Sequence, residues 1–126
     1  MKPETVEWVD KGEGDWKVMQ RERQAADPVW NVVSFLAQQC AEKYLKAFLE
    51  EQNIMFHKTH DLVALLDLSG GLLLELDPWR QALVHLSTFG IATRYPGVQA
   101  DQPAAEDTVR VAEAVRTVIR SKLELP

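Results

Sequence analysis

The sequence predicts an all-α protein that folds as an up-and-down helical bundle of four main helices plus one short helix. Three observations support this prediction. Apolar residues recur at helical spacing in the middle of the chain, no segment has a strong strand pattern, and proline or glycine separates the helical stretches. A chain of 126 residues can bury one hydrophobic core, so we expect residues 1–126 to form a single domain.

The first predicted helix runs from residue 4 to about residue 23. Gly12 and Gly14 lie in its middle, and each glycine costs a helix about 1 kcal/mol relative to alanine. We therefore expect a kink or an early break there. The dipeptide Asp27-Pro28 then marks a turn, with the proline at or near the first position of the next helix.

The central helix, from residue 33 to about residue 52, has the clearest helical pattern in the chain. One apolar face is formed by Val33, Leu36, Ala37, Cys40, Ala41, Tyr44, Ala47 and Phe48. The polar residues between them are expected to face solvent: Gln38, Glu42, Lys43, Lys46 and Glu50. Val32 and Phe35 lie off the apolar face, which indicates that this helix contacts neighbours on more than one side.

The third helix is predicted to be short, from Thr59 to Leu68. Thr59 is its expected cap, and Asp61 places a negative charge in the first turn, where the helix dipole favours it. The fourth helix is expected to begin with Asp77 as cap and to end at Gly90.

The last helix is expected to follow a loop over residues 91–103, which holds two prolines and a glycine. Ala104 or Ala105 should open this helix.

Composition and charge exclude several classes of protein. No apolar run approaches the roughly 20 residues that span a bilayer, and the acidic N-terminus is unlike a signal peptide, so we expect a cytoplasmic protein. The net charge of −5 argues against tight non-specific nucleic-acid binding by the monomer, although a basic cleft formed by a dimer remains open. Cys40 is interpreted as a small buried hydrophobe.

No metal or cofactor site is predicted. His57 and His60 have no further His or Cys near them in sequence, so His60 is expected to order the start of the third helix by hydrogen bonding. The glycines at positions 70 and 71 lack the pattern of a phosphate-binding loop.

Three motifs, in this order, resemble the HEPN domain family: AQQCAEKYLKAFL at 37–49, HKTHDLVALL at 57–66 and TRYPG at 93–97. The resemblance extends from about Trp8 to the last helix. It implies a small α-helical domain of the kind found in prokaryotes, often encoded beside a minimal nucleotidyltransferase. The family includes RNA-cleaving toxins, nucleotide-binding modules and proteins without an assigned role.

The resemblance supports two hypotheses of different class. The first is an interaction module, a homodimer that works with a minimal nucleotidyltransferase partner and binds a nucleotide. The expected ligand-binding residues come from the KTHDL and RYP motifs: Lys58, His60, Asp61, Arg94 and Tyr95. Alternatively, Arg94 pairs with an acid such as Asp61 or Asp67, and Tyr95 closes the end of the core.

The second hypothesis is a metal-independent endoribonuclease, the toxin of a toxin–antitoxin pair that acts on RNA. Ribonucleases of the family carry an Arg and a His four to six residues apart at the dimer interface, and Arg80 and His85 have this spacing. Histidine can take the proton of the 2′-hydroxyl, and arginine can stabilise the charge on phosphorus. Residues five apart are rotated by about 140° on a helix, so Arg80 and His85 do not share a face by spacing alone. Ser87 also stands where such ribonucleases have a tyrosine.

Dimerisation is predicted from the number of large apolar residues. The four tryptophans, at positions 8, 16, 30 and 79, together with Val32 and Phe35, are more than one small core needs. Surplus apolar surface usually marks an interface.

Overall fold

The computed structural model describes residues 1–126 and is entirely helical, which confirms the predicted fold class. Four long α-helices and one short one pack together, and a 3₁₀ helix lies between α3 and α4. The elements are α1 (Pro3–Arg23), α2 (Trp30–Glu51), α3 (Leu62–Leu68), the 3₁₀ helix (Leu74–Trp79), α4 (Arg80–Ala92) and α5 (Gln102–Lys122).

Helix α2 is the central element, because it packs against each of the four other α-helices. The predicted apolar face is confirmed, since all its members are buried in one core except Leu36, which packs against that core partly exposed. The four tryptophans also pack partly buried against the core, so they are not surplus apolar surface. None of the helices has the length and hydropathy that crossing a membrane would require.

Helix α1 is continuous through both glycines, so the expected kink or break was wrong. A side chain at position 12 would meet the ring of Tyr44, because a Cβ built there lies 3.2 Å from Tyr44 Cδ2. Gly12 thus lets α1 approach α2 closely, and this packing outweighs the low helix propensity of glycine. Gly14 faces open space.

The start of the third helix differs from the prediction. Helix α3 begins at Leu62, and its cap is Asp61, whose Oδ1 accepts hydrogen bonds from the backbone N–H groups of Val63 and Ala64, each at 3.1 Å. Thr59 Oγ1 instead accepts from Asp61 N at 3.1 Å, so it caps the preceding turn. The backbone of Asp61 is extended, which is the usual conformation of a cap.

The start and the end of the fourth helix, and the start of the fifth, also differ from the prediction. Asp77 belongs to the 3₁₀ helix, and α4 begins at Arg80 and continues through Gly90 to Ala92. Gly90 is a close-contact residue, because a Cβ there would lie 2.5 Å from Gln38 Cβ. Helix α5 begins at Gln102, before the predicted alanines, because Asp101 Oδ1 accepts from Ala104 N at 2.9 Å and caps it.

The polar side of α2 is the largest departure from the sequence prediction. Gln38, Glu42 and Lys46 were expected in solvent, but their exposed fractions are 0%, 4% and 6%. The chain that follows α2 folds back and covers them, and polar groups buried in this way need hydrogen-bond partners. These partners form the candidate site.

Candidate functional site

A buried carboxylate on α2 is the centre of the site. Glu42 accepts three hydrogen bonds: from Nε2 of Gln38 at 3.1 Å, from Nζ of Lys46 at 2.9 Å, and from Nδ1 of His60 at 2.7 Å. Gln38, Glu42 and Lys46 follow each other at intervals of four residues, so they lie on one face of the helix. His60 comes from the segment that covers this face.

The charge state of Glu42 determines that Nδ1 of His60 is the donor in their hydrogen bond. Burial raises the pKa of Glu42, but hydrogen bonds from His60, Lys46 and Gln38 outweigh that effect, and its pKa lies below the usual value. An ionised carboxylate only accepts hydrogen bonds, so Nδ1 of His60 must carry a hydrogen. The other ring nitrogen, Nε2, is then left to face outward, and the His60 side chain is 65% exposed.

Two further contacts fix this arrangement. Gln38 Nε2 also donates to the backbone carbonyl of His60 at 3.1 Å, which anchors the segment as well as the ring. The ammonium of Lys46 lies 5.4 Å from the ring centroid of Trp8 and 6.0 Å from that of Phe56. Lys46 therefore lies between a carboxylate and two aromatic faces, which fix the position of its ammonium group.

His60 borders an open cleft of about 640 Å³ between the start of α3 and α4. The lining residues are His60, Asp61, Val63, Val84, Ser87, Thr88, Ile91 and Ala92. Four of them are apolar, and Asp61 alone has a permanent charge. Ser87 joins the two walls, because its Oγ accepts from Leu62 N at 2.9 Å and donates to Leu83 O at 3.0 Å.

Arg94 does not pair with either expected carboxylate. Its guanidinium carbon lies 4.4 Å from the ring centroid of Phe35, and no carboxylate oxygen lies within 4 Å of its nitrogens. Arg94 and Phe35 line a separate hollow of about 410 Å³, together with Asn31, Val32 and Thr93. Asp67, one of the expected partners, binds Arg80 instead.

The remaining predicted ligand residues are exposed. The Tyr95 side chain is 65% exposed, so it does not close the end of the core as the alternative interpretation required. Lys58 lines neither the cleft beside His60 nor the hollow beside Arg94. No group of three or more His, Cys, Asp or Glu side chains that could hold a metal ion is present.

Within one chain, Arg80 and His85 are not brought together. Arg80 NH1 lies 2.7 Å from Asp67 Oδ1, and its Nε lies 3.6 Å from Asp77 Oδ1. His85 stacks on Phe89 with 5.0 Å between ring centroids and lines a different cleft, between α4 and α5. Their placement across a dimer interface stays a prediction.

A second polar network, which no sequence pattern predicted, joins three helices. Glu13 of α1 accepts from Nε and NH2 of Arg116 of α5, at 2.9 and 2.6 Å, and from the hydroxyl of Tyr44 of α2. The hydrogen bond from Arg116 is the main cause that lowers the pKa of Glu13 to about 2. Burial and the bond to Glu13 raise the pKa of Tyr44 to about 12. The one local feature of the sequence that distinguishes Glu13 is its position between two glycines.

The fold and the site together define an all-helical bundle whose central helix buries a Gln–Glu–Lys row, and this row orients a histidine of the segment that covers it. The HEPN domain family model matches residues 5–122, nearly the whole chain, and the chain therefore belongs to the HEPN domain family. No curated protein and no solved structure matches it with significance.

Proposed function

We propose that this HEPN domain is a homodimeric binding module that takes up a nucleotide in the cleft beside His60 and acts with a minimal nucleotidyltransferase partner. The observation that carries this proposal is the exposed imidazole of His60, held in one orientation by the buried carboxylate of Glu42. A buried ion pair is weak evidence for stability, so its use to orient one exposed ring favours a functional role.

The cleft has the character of a small-molecule site. Its volume of about 640 Å³ lies within the range of about 300–1,000 Å³ typical of ligand sites. Its walls are half apolar, with polar groups at the edges, as expected for a site that holds a flat base and a hydroxylated sugar. Hydrogen bonds hold the side chains of Ser87 and His60 in place at this cleft.

Arg94 is the candidate contact for the phosphates. It follows two residues after Ala92, which lines the cleft, so the two Cα atoms are no more than about 7.6 Å apart. Stacking on Phe35 orients the guanidinium while its N–H donors stay clear of carboxylates. Guanidinium groups with free donors bind phosphate by paired hydrogen bonds.

The dimer and the partner rest on other observations. Val29, Val32 and Tyr95 are 51%, 38% and 65% exposed, and the loop of Tyr95 is fixed to the start of α2 by the hydrogen bond from Thr93 Oγ1 to Asn31 O. This apolar surface fits a twofold interface. The nucleotidyltransferase partner is inferred from the family resemblance alone.

Calorimetric titration with ATP and GTP tests the ligand proposal. We expect saturable binding by the wild-type protein, loss of binding in His60→Ala, and unchanged binding in His57→Ala, which removes an exposed histidine three residues earlier. Absence of binding to either nucleotide at millimolar concentration would refute the proposal.

Light scattering tests the dimer. The wild-type protein should have twice the chain mass of 14.3 kDa at micromolar concentration. Val32→Asp should give the single-chain mass, and Val18→Asp, at a position 46% exposed on α1, should not. A wild-type protein with the mass of one chain would contradict dimerisation. Co-purification with a nucleotidyltransferase encoded beside it tests the partner.

A further inference from the structure

We infer that the cleft beside His60 recognises the vicinal hydroxyls of a ribose, so that it distinguishes ribonucleosides from deoxyribonucleosides. This inference rests on the proposed nucleotide site and specifies which part of the ligand the cleft holds. It derives from the hydrogen-bonding groups that the chain leaves unused at the edge of the cleft.

Two neighbouring residues present hydrogen-bond acceptors there. The hydrogen bond to Glu42 takes Nδ1 of His60 as its donor, so in the neutral form of the ring Nε2 is the acceptor. Asp61 uses Oδ1 to cap α3, while its Oδ2 accepts no hydrogen bond from the chain. Both residues line the same cleft, so a ligand meets two acceptors side by side.

The cleft offers almost no donors in return. The hydroxyl hydrogens of Ser87 and Thr88 are directed to backbone carbonyls, those of Leu83 and His85. No lysine or arginine lines the cleft, and the carboxylate of Asp61 repels an anion. A group bound at this edge must therefore supply the hydrogens itself and carry no negative charge, which excludes the phosphates.

A ribose meets these requirements. Its 2′- and 3′-hydroxyls stand on adjacent carbons and can donate to two adjacent acceptors, whereas a deoxyribose can donate only one such bond. A carboxylate that accepts from ribose hydroxyls is an established means of recognising dinucleotides. The base would then lie against the apolar wall of Val63, Val84 and Ile91, and the phosphates would lie toward Arg94.

Calorimetry with adenosine, 2′-deoxyadenosine and ATP tests the inference. Adenosine should bind, and 2′-deoxyadenosine should bind about tenfold more weakly, since one hydrogen bond to a charged group is lost. Asp61→Asn is the informative variant, because asparagine also caps a helix but replaces the free acceptor by an NH₂ donor. It should abolish the preference for ribose with an unchanged melting temperature. Arg94→Ala should lower ATP affinity to that of adenosine and keep the preference.

The outcomes separate this inference from the proposed function. If ATP binds but adenosine does not, or if the deoxy compound binds as well as adenosine, the ribose assignment is wrong and the nucleotide site stands. A ribose preference that survives in Asp61→Asn also overturns the assignment. If none of the three compounds binds, both proposals fail.

Discussion

Removal of the Glu42 carboxylate should destabilise the protein far more than removal of the whole Glu42–Lys46 pair. In Glu42→Leu the ammonium of Lys46, whose side chain is 8% exposed, loses its only carboxylate. An unpaired charge left in this way costs about 3–5 kcal/mol. Nδ1 of His60 loses its acceptor as well, and Nε2 of Gln38 loses one of its two acceptors, so we expect the upper end of that range.

The double variant Glu42→Leu/Lys46→Met removes both charges and keeps similar volumes. Replacement of a buried ion pair by apolar residues is often neutral. We therefore expect the double variant to lie within about 2 kcal/mol of wild type, with the remaining cost due to the partners of Glu42. The interaction energy from the mutant cycle should then be several kcal/mol.

Urea unfolding followed by circular dichroism measures both effects. A small domain has a stability of about 5–15 kcal/mol, so the loss in Glu42→Leu is large enough to move the midpoint by more than 1 M. The slopes of the transitions must agree for the comparison to hold. The reasoning is refuted if Glu42→Leu lies within 1 kcal/mol of wild type, or if the double variant is no more stable than the single one.

Three further predictions concern other parts of the bundle. The folded-state pKa of Glu13 is lowered to about 2, so its ion pair with Arg116 should stabilise the fold at pH above about 4.5 and lose that effect as pH falls toward 2. The difference in melting temperature between wild type and Glu13→Gln should therefore vanish as pH falls from about 4.5 toward 2. Gly14→Ala should raise the free energy of unfolding by about 0.5–1 kcal/mol. Gly12→Ala should lower it or leave it unchanged, because the new Cβ would lie 3.2 Å from the Tyr44 ring. Equal gains for the two variants in thermal melts would contradict this close contact. Incubation with total RNA should give the same pattern for wild type and for Arg80→Ala/His85→Ala, since Arg80 is held by Asp67 and Asp77; cleavage that only the wild type performs would favour the endoribonuclease.

The sequence was sufficient for the helices but not for the polar interior of the site. Periodicity identified the apolar face of α2 correctly because core burial follows residue type closely. The same rule placed Gln38, Glu42 and Lys46 in solvent, since a polar residue is usually exposed. Their burial depends on where the segment around His60 lies, and that is set by tertiary contacts such as the one between Glu42 and His60, which are 18 residues apart in sequence.

The predicted helix ends and the predicted partners of Arg94 were wrong for a related reason: both depend on tertiary contacts. Gly90 has the properties of a helix terminator, but its tertiary role is to admit Gln38, and no local pattern distinguishes the two. Arg94 was predicted to pair with a carboxylate or a ligand, because a positively charged side chain usually has a negatively charged partner. An aromatic face is an equally valid neighbour for a guanidinium, and only the fold brings Phe35 to it.

The contact between Gly90 and Gln38 limits which substitutions this sequence can accept at either position. Position 90 touches no ligand in the proposed site, yet its lack of a side chain leaves room for the glutamine whose amide holds both Glu42 and the backbone of His60. A Cβ at position 90 would meet the Cβ of residue 38 itself, so a side chain at 90 fits the bundle only if residue 38 also becomes glycine, and that exchange would release the His60 segment. The two positions are therefore epistatic: the pair Gly90→Ala/Gln38→Gly should relieve the clash without recovering the oriented imidazole.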